Sequence, residues 1–322
     1  MKIFVAGATG VLGQRLVPLL ISNGHTVVGS TRMPGKADAL RAVGAVPVIL
    51  DALDRDAVIE AVTQAEPDVV VHELTALTDF SDFRKFDEAF AATNRLRTQA
   101  TDHLLEAIQQ LPTRRIVAQS YAGAGFYART GGPIKTEDDP FDSDPPAGLR
   151  RIVEAVQHLE RAVLKTEGVQ GTVLRYGGFY GPGTSLGAGG VFLEAVRRRQ
   201  FPIIAGGAGV WSFIHIEDAA SATLAAIESG RTGAYNIVDD DPAPVAEWLP
   251  VLAEAIGAKP PRRMPAWLAR LFVGEHGVIM MTESRGASNA KARRELGWRL
   301  AYPSWRTGFR VGLGDGETAK AA

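Results

Sequence analysis

The chain of 322 residues contains no cysteine, which excludes disulfides, thiolate metal sites and a cysteine nucleophile. It lacks an excess of charge: 35 Lys and Arg stand against 36 Asp and Glu, a formal net charge of −1, so nothing in it suits nucleic acid or an anionic membrane. No apolar run is long enough to cross a bilayer. An apolar strand pattern beginning at Lys2 leaves no room for a leader, and a cytoplasmic protein acting on a small molecule is expected. There is no internal repeat and no low-complexity block. One further absence is local: no tyrosine occurs from Ala128 to Arg175.

The first thirteen residues carry the strongest signal present. Lys2–Ala6 (KIFVA) is a β-rich run, and GATGVLG follows at once, spacing Gly7, Gly10 and Gly13 three apart. Leu12, Leu16, Leu19 and Leu20 then recur at helical spacing. A strand, a glycine turn and a helix in that order cradle a pyrophosphate: Gly7 turns the chain, Gly10 lets backbone approach phosphate, and Gly13 lets the helix pack on the strand.

Strand patterns follow at Thr26–Ser30, Val46–Leu50, Asp68–His72, Arg115–Gln119, Thr172–Arg175, Trp211–Ile216 and Ala234–Val238. Helical patterns alternate with them at Gly35–Val43, Asp54–Ala65, Phe86–Gln110, Leu149–Lys165, Val191–Arg199 and Asp218–Glu228. Alternation with several continuously apolar strands predicts an α/β fold, a doubly wound parallel sheet of Rossmann type, with a smaller C-terminal substrate-binding region. Residues 1–175 read as the dinucleotide-binding domain, with 212–240 returning to it. Residues 176–211 and 241–313 read as the substrate-binding region, and 314–322 as a flexible tail. The stretch Tyr121–Gly148, rich in Gly, Pro and Asp, falls at the carboxyl end of the sheet, where ligands bind.

Several segments in order resemble the extended short-chain dehydrogenases/reductases of the NAD(P)-dependent epimerase/dehydratase family. They are GATGVLG, the Asp51–Asp54 pair, VVVHELTA (Val69–Ala76), Asn94, LRYGGFYGPG (Leu174–Gly183), SFIHIEDAA (Ser212–Ala220) and SNAKARRELGW (Ser288–Trp298). The resemblance implies a cofactor site that includes Gly7, Thr9, Gly10, Val11, Leu12, Gly13, Thr31, Arg32, Lys36, Asp51, Ala52, Leu74, Thr75, Asn94, Ser120 and Tyr176. It also implies a homodimer formed through the helices near Phe86–Gln110 and Leu149–Lys165, and no metal. At the end of the second strand, where an acid would select NAD, the chain reads Ser30-Thr31-Arg32 with Lys36 close behind. A hydroxyl and two cations suit a 2′-phosphate, so NADP(H) is favoured over NAD(H).

Such enzymes are expected to carry Tyr-x-x-x-Lys on the helix after the fifth strand. Aligning on Glu160 puts Ile152 and Val156 at those positions, and an apolar pair moves no proton. On this reading Ile152 and Val156 line the nicotinamide side of the pocket with Gly178 and Trp211. Ser120 polarises the acceptor, and Tyr121 or Tyr127 is left to supply a phenol. His158 falls off the stripe and reads as surface. Gly178 and Trp211-Ser212 stand where nucleotide-sugar members hold diphosphate ligands, and Trp211 suits an apolar or aromatic substrate. The resulting expectation is an NADP(H)-dependent oxidoreductase acting on a small carbonyl- or imine-type substrate by hydride transfer. A nucleotide-sugar epimerase/dehydratase and a non-catalytic NADP(H)-binding sensor or assembly factor remain open beside it.

Overall fold

In the computed structural model, the residues described are 1–76, 85–112, 114–123 and 125–314; the expected tail beyond 314 lies outside them. Seven parallel strands form the central sheet: β1 Lys2–Ala6, β2 Thr26–Thr31, β3 Val46–Ile49, β4 Val69–His72, β5 Arg115–Tyr121, β6 Gln170–Tyr176 and β7 Gly233–Ile237. Their spatial order is β3-β2-β1-β4-β5-β6-β7. The order reverses between β1 and β4, and in a doubly wound sheet the crevice at that point is where ligands bind.

Both faces of the sheet are covered. Ile3, Val5 and Val71 point to one side, where α1 (Gly13–Ser22) buries Leu16 and Leu20 against them. Phe4, Val70, Ile116 and Ala118 point to the other, under α3 (Arg55–Ala65), α5 (Thr101–Gln109) and α6 (Ala147–Lys165). Between β2 and β3, α2 spans only Ala37–Ala42, because Pro34 and Gly35 hold the preceding turn in a tight 3₁₀ form. Asp54 caps α3 by accepting a hydrogen bond from the Ala57 amide at 3.1 Å.

The expected single helix over 86–110 is three pieces. α4 runs Phe86–Arg95, one π-helical turn covers Leu96–Ala100, and α5 follows. The extra residue in a π turn re-aims the side chains around it, and such turns concentrate at functional sites.

The remaining segments build a second core of Tyr180, Leu193, Phe213, Trp248, Leu249, Trp305 and Phe309. They include α7 (Val191–Arg197), α8 (Ile216–Ser229), which lies against α1, α9 (Val245–Ala255) and α10 (Ala266–Thr282). α10 breaks at Gly274, whose φ is 66°. Two of the motif histidines and acids tie this lobe down. His215 donates to the Gly312 carbonyl at 2.9 Å, and Asp218 accepts from the Ala301 and Tyr302 amides at 2.7 and 2.8 Å. No described helix is long and apolar enough to cross a membrane.

Candidate active site

The site begins at the glycine turn. Gly7 leaves β1 with φ of 94°, and a Cβ there would stand 2.7 Å from the Glu73 carbonyl oxygen. A Cβ on Gly13 would stand 2.5 Å from the Ala8 and Gly7 carbonyl oxygens. Neither position admits a side chain, and the result is a helix N-terminus seated directly on the strand ends. The first turn of α1 holds no acidic residue. Its amides lack intrahelical partners and its dipole favours an anion, so a dinucleotide diphosphate fits this cradle.

Gly10, Val11, Leu12 and Gly13 form one end of a cavity of about 1190 Å³. Thr75, Tyr176, Gly178 and Trp211 line it as the sequence implied, as does Tyr121. The volume exceeds that of a pocket for one drug-sized ligand and leaves room for part of a dinucleotide beside a small substrate.

The other expected cofactor residues are spread along the strand ends. The Thr31 hydroxyl lies 3.0 Å from that of Thr9 and accepts from the Met33 amide at 3.2 Å. Arg32 is exposed and Lys36 half-buried, and among the described residues neither side chain has a hydrogen-bond or ion-pair partner. Asp51 is exposed and accepts from the Leu53 amide at 3.0 Å. Ala52 is buried, its carbonyl 3.2 Å from His103 Nδ1. Leu74 donates its amide to His72 Nδ1 at 3.3 Å, and the side-chain oxygen of Asn94 is buried without a partner among the described residues.

Four of the expected residues lie elsewhere than the sequence put them. Ser120 does not line the cavity. Its hydroxyl donates to Glu160 Oε1 at 2.6 Å, and Arg175 clamps the same carboxylate through Nε at 2.9 Å and Nη2 at 2.7 Å. Tyr127, 1% exposed, accepts from Arg175 Nη1 at 3.1 Å and donates to Asn236 Oδ1 at 2.5 Å. Both hydroxyls are therefore spent inside a closed network. For Ser120 the cause is strand alternation: it pairs in register with Arg175, and both side chains face Glu160 on α6. Ile152 and Val156 are 0% and 1% exposed and pack with Leu149, Val153, Phe86 and Phe126, a layer behind the cavity wall. His158 is on the surface, its Nε2 2.8 Å from Asp102.

What does face the cavity includes residues the sequence reading passed over. Glu73, 5% exposed, accepts from the Tyr176 hydroxyl at 3.2 Å through Oε1, while Oε2 has no partner among the described residues. Burial pushes its carboxyl up to about 8, against the pull of Tyr176. Arg97, on the π turn, is 7% exposed, and its Nη1 is unpartnered among the described residues. Burial brings its guanidinium down to about 10, so it stays charged at neutral pH. Burial also raises the Tyr121 phenol to about 12, with the Arg97 charge opposing. Phe86, Phe90, Phe126, Phe179 and Met280 complete an aromatic and apolar surround. Trp211 is fixed by donating Nε1 to the Met280 carbonyl at 2.8 Å. No cluster of His, Asp and Glu able to hold a metal occurs among the described residues.

The family model of the NAD dependent epimerase/dehydratase family matches residues 3–238. The chain belongs to that family. It is 47% identical over 310 residues to a 3-diazoavenalumate denitrifying reductase of a Streptomyces species, covering 96% of this chain and 99% of the relative. It is 27% identical over 268 residues, 80% of this chain and 74% of the relative, to a 4-hydroxy-2-methyl-3-oxo-4-farnesyl-3,4-dihydroquinoline-1-oxide ketoreductase of Stigmatella aurantiaca. Among solved structures, human epimerase family protein SDR39U1 with NADPH superposes with a TM-score of 0.70 at 23% identity over the whole of both chains. The oxidoreductase reading of the sequence holds with this family, as does the doubly wound parallel fold.

Proposed function

We propose that this family member is a reductase that removes the diazo group of an aromatic substrate as dinitrogen, using NADP(H). The observation that carries the reading is that, among the described residues, the serine and the Tyr-x-x-x-Lys positions expected to relay a proton do not reach the cavity whose glycine turn suits a dinucleotide. Ser120 and Tyr127 are locked into the Glu160–Arg175 network, and Ile152 and Val156 are core. When bound, a reduced nicotinamide supplies a hydride; an aryl diazonium that gains it forms a C–H bond, the C–N pair departs with N₂, and no proton is needed. The similarity to the Streptomyces reductase supports the diazo group, and the aromatic walls support the ring.

In this reading the residues of the chain bind and orient. Gly10 to Gly13 and the α1 N-terminus hold the diphosphate, and Phe86, Phe90, Phe126 and Trp211 exclude water and hold the ring. Thr31, Arg32 and Lys36 hold a 2′-phosphate, since the two cations have no other partner among the described residues. Equal affinity for NADPH and NADH would overturn that choice. A homodimer through α4, α5 and α6 and a cytoplasmic location complete the proposal.

A second reading, carbonyl reduction, is favoured by one group: the Tyr121 phenol at the cavity wall, with the Arg97 charge easing its ionisation. One experiment separates the two. With a ¹⁵N-labelled aryl diazonium and NADPH, the protein is expected to release labelled N₂ in step with cofactor oxidation, and Tyr121→Phe to slow this less than tenfold. A ketone panel that is turned over instead, with Tyr121→Phe costing about 10²–10⁴-fold, would establish the carbonyl reading and sink the diazo one.

A further inference from the structure

We infer that Arg97 anchors a carboxylate on the substrate, gripping it at the aromatic end of the cavity; this rests on the reductase reading above and adds the substrate's charge to it. Four acidic or basic residues line the cavity among those described: Arg15, Glu73, Arg97 and Glu217. Arg15 and Glu217 neutralise one another, with Nε to Oε1 at 3.2 Å. Glu73 shares its carboxylate with Tyr176. Arg97 alone of the four has neither an ion pair nor a side-chain hydrogen bond among the described residues, although it is 7% exposed and its Nη1 is fully enclosed. A guanidinium withdrawn from water without a counter-charge is costly, and a chain that only needed to fold would gain by replacing it.

The surroundings say which anion fits. Arg97 lies 5.9 Å from the Phe90 ring centroid, and Tyr121 stacks edge-on to Phe126 at 4.7 Å beside it. This is the aromatic part of the cavity. The diphosphate cradle at Gly10 to Gly13 is a separate element with its own helix N-terminus, and the charge beside it, Arg15, already has Glu217 as its counter-charge. An anion for Arg97 therefore arrives on a molecule that also carries an aromatic surface. A carboxylate matches the planar guanidinium fork with two parallel hydrogen bonds. The π turn at Leu96–Ala100 is the local device: it sets the guanidinium among the rings and leaves its backbone carbonyl paired with Thr101 Oγ1 at 2.8 Å.

The test uses the full-length protein loaded with oxidised cofactor, and cinnamate and methyl cinnamate as unreactive probes. Cinnamate is expected to bind about 10–100-fold more tightly than its ester. Arg97→Met is expected to level the two while leaving cofactor affinity within about twofold, and Arg97→Lys to restore part of the preference, because an ammonium keeps the charge but not the fork. Equal affinity of the wild type for acid and ester, or no binding of either at millimolar concentration, would overturn the anchor. So would an Arg97→Met protein that keeps the preference for the acid, or one whose loss falls on cofactor binding instead. Turnover of an aryl diazonium acid and of its ester separates this inference from the one beneath it. If the acid is preferred through KM, both stand. If acid and ester are reduced with equal kcat/KM, the anchor falls and the reductase stands. If cinnamate shows its Arg97-dependent preference and no diazonium is consumed, the reductase reading falls and the anchor stands.

Discussion

At the scale of single residues, Glu73 is the group whose burial has the plainest consequence. Its carboxyl sits at about 8 in the folded protein, against an ordinary 4.5, with burial the dominant cause. Between those values the unfolded chain has released the proton and the folded chain still holds it. The folded state therefore binds more protons, and stability falls as pH rises through this window, levelling off above about 8. Glu73→Gln keeps the acceptor for Tyr176 and removes the titration. Its urea-unfolding free energy is expected to lose this fall, exceeding the wild type by about 3–5 kcal/mol more at pH 9 than at pH 4. Parallel pH curves for the two proteins would contradict it. Glu73 was legible as an anomaly, a carboxylate directly after the strand run Val69–His72. Arg97 was not, because its neighbours Asn94, Arg95, Thr98 and Gln99 are polar and only the fold buries it. The side on which Ser120 falls was not legible. β5 is apolar on both faces through Ile116, Val117 and Ala118, so its pattern carries no parity.

At the scale of elements, the strand–turn–helix at the N-terminus was readable because glycine there answers a backbone demand that no other residue meets. Gly13→Ala puts a methyl group 2.5 Å from two carbonyl oxygens that belong to the turn itself. The helix must lift from the strand ends, which is expected to cost about 1–3 kcal/mol of stability and at least about tenfold in NADPH affinity. Unaltered affinity with unaltered melting would show that the turn is not the cofactor cradle. α6 was harder to read. Its stripe of Leu149, Ile152, Val156, Leu159 and Val163 is uniformly apolar, and the same spacing describes a pocket wall and a core. Packing with Phe86 and Phe126 decides for the core. The π turn left no mark on the pattern between Phe86 and Gln110, which holds no Gly or Pro to signal a break in the helix.

At the scale of the molecule, the C-terminal lobe is tied to the sheet by side chains from segments that matched family patterns without touching the cavity. Asn289 Nδ2 donates to the Val238 carbonyl at 2.8 Å, Lys291 Nζ to the Ala234 carbonyl at 2.9 Å, and Trp298 Nε1 to Ser221 Oγ at 3.0 Å. These motif residues therefore serve the architecture. Many of the motifs' polar residues hold segments together, while the cavity takes its glycine turn and Glu73 from motifs and its rings and Arg97 largely from outside them. Trp211 and Trp248 stand in that cavity wall with ring centroids 5.0 Å apart, and they are the indoles among its lining residues. Indole emits where a reduced nicotinamide absorbs and an oxidised one does not. The protein thus carries its own optical gauge of cofactor redox state, built from the residues that enclose the substrate. NADPH is expected to quench tryptophan emission with a matching rise in nicotinamide fluorescence, and NADP⁺ to leave no such transfer. Trp211→Phe should weaken the signal, and its persistence undiminished in a Trp211→Phe, Trp248→Phe double variant would place the cofactor elsewhere.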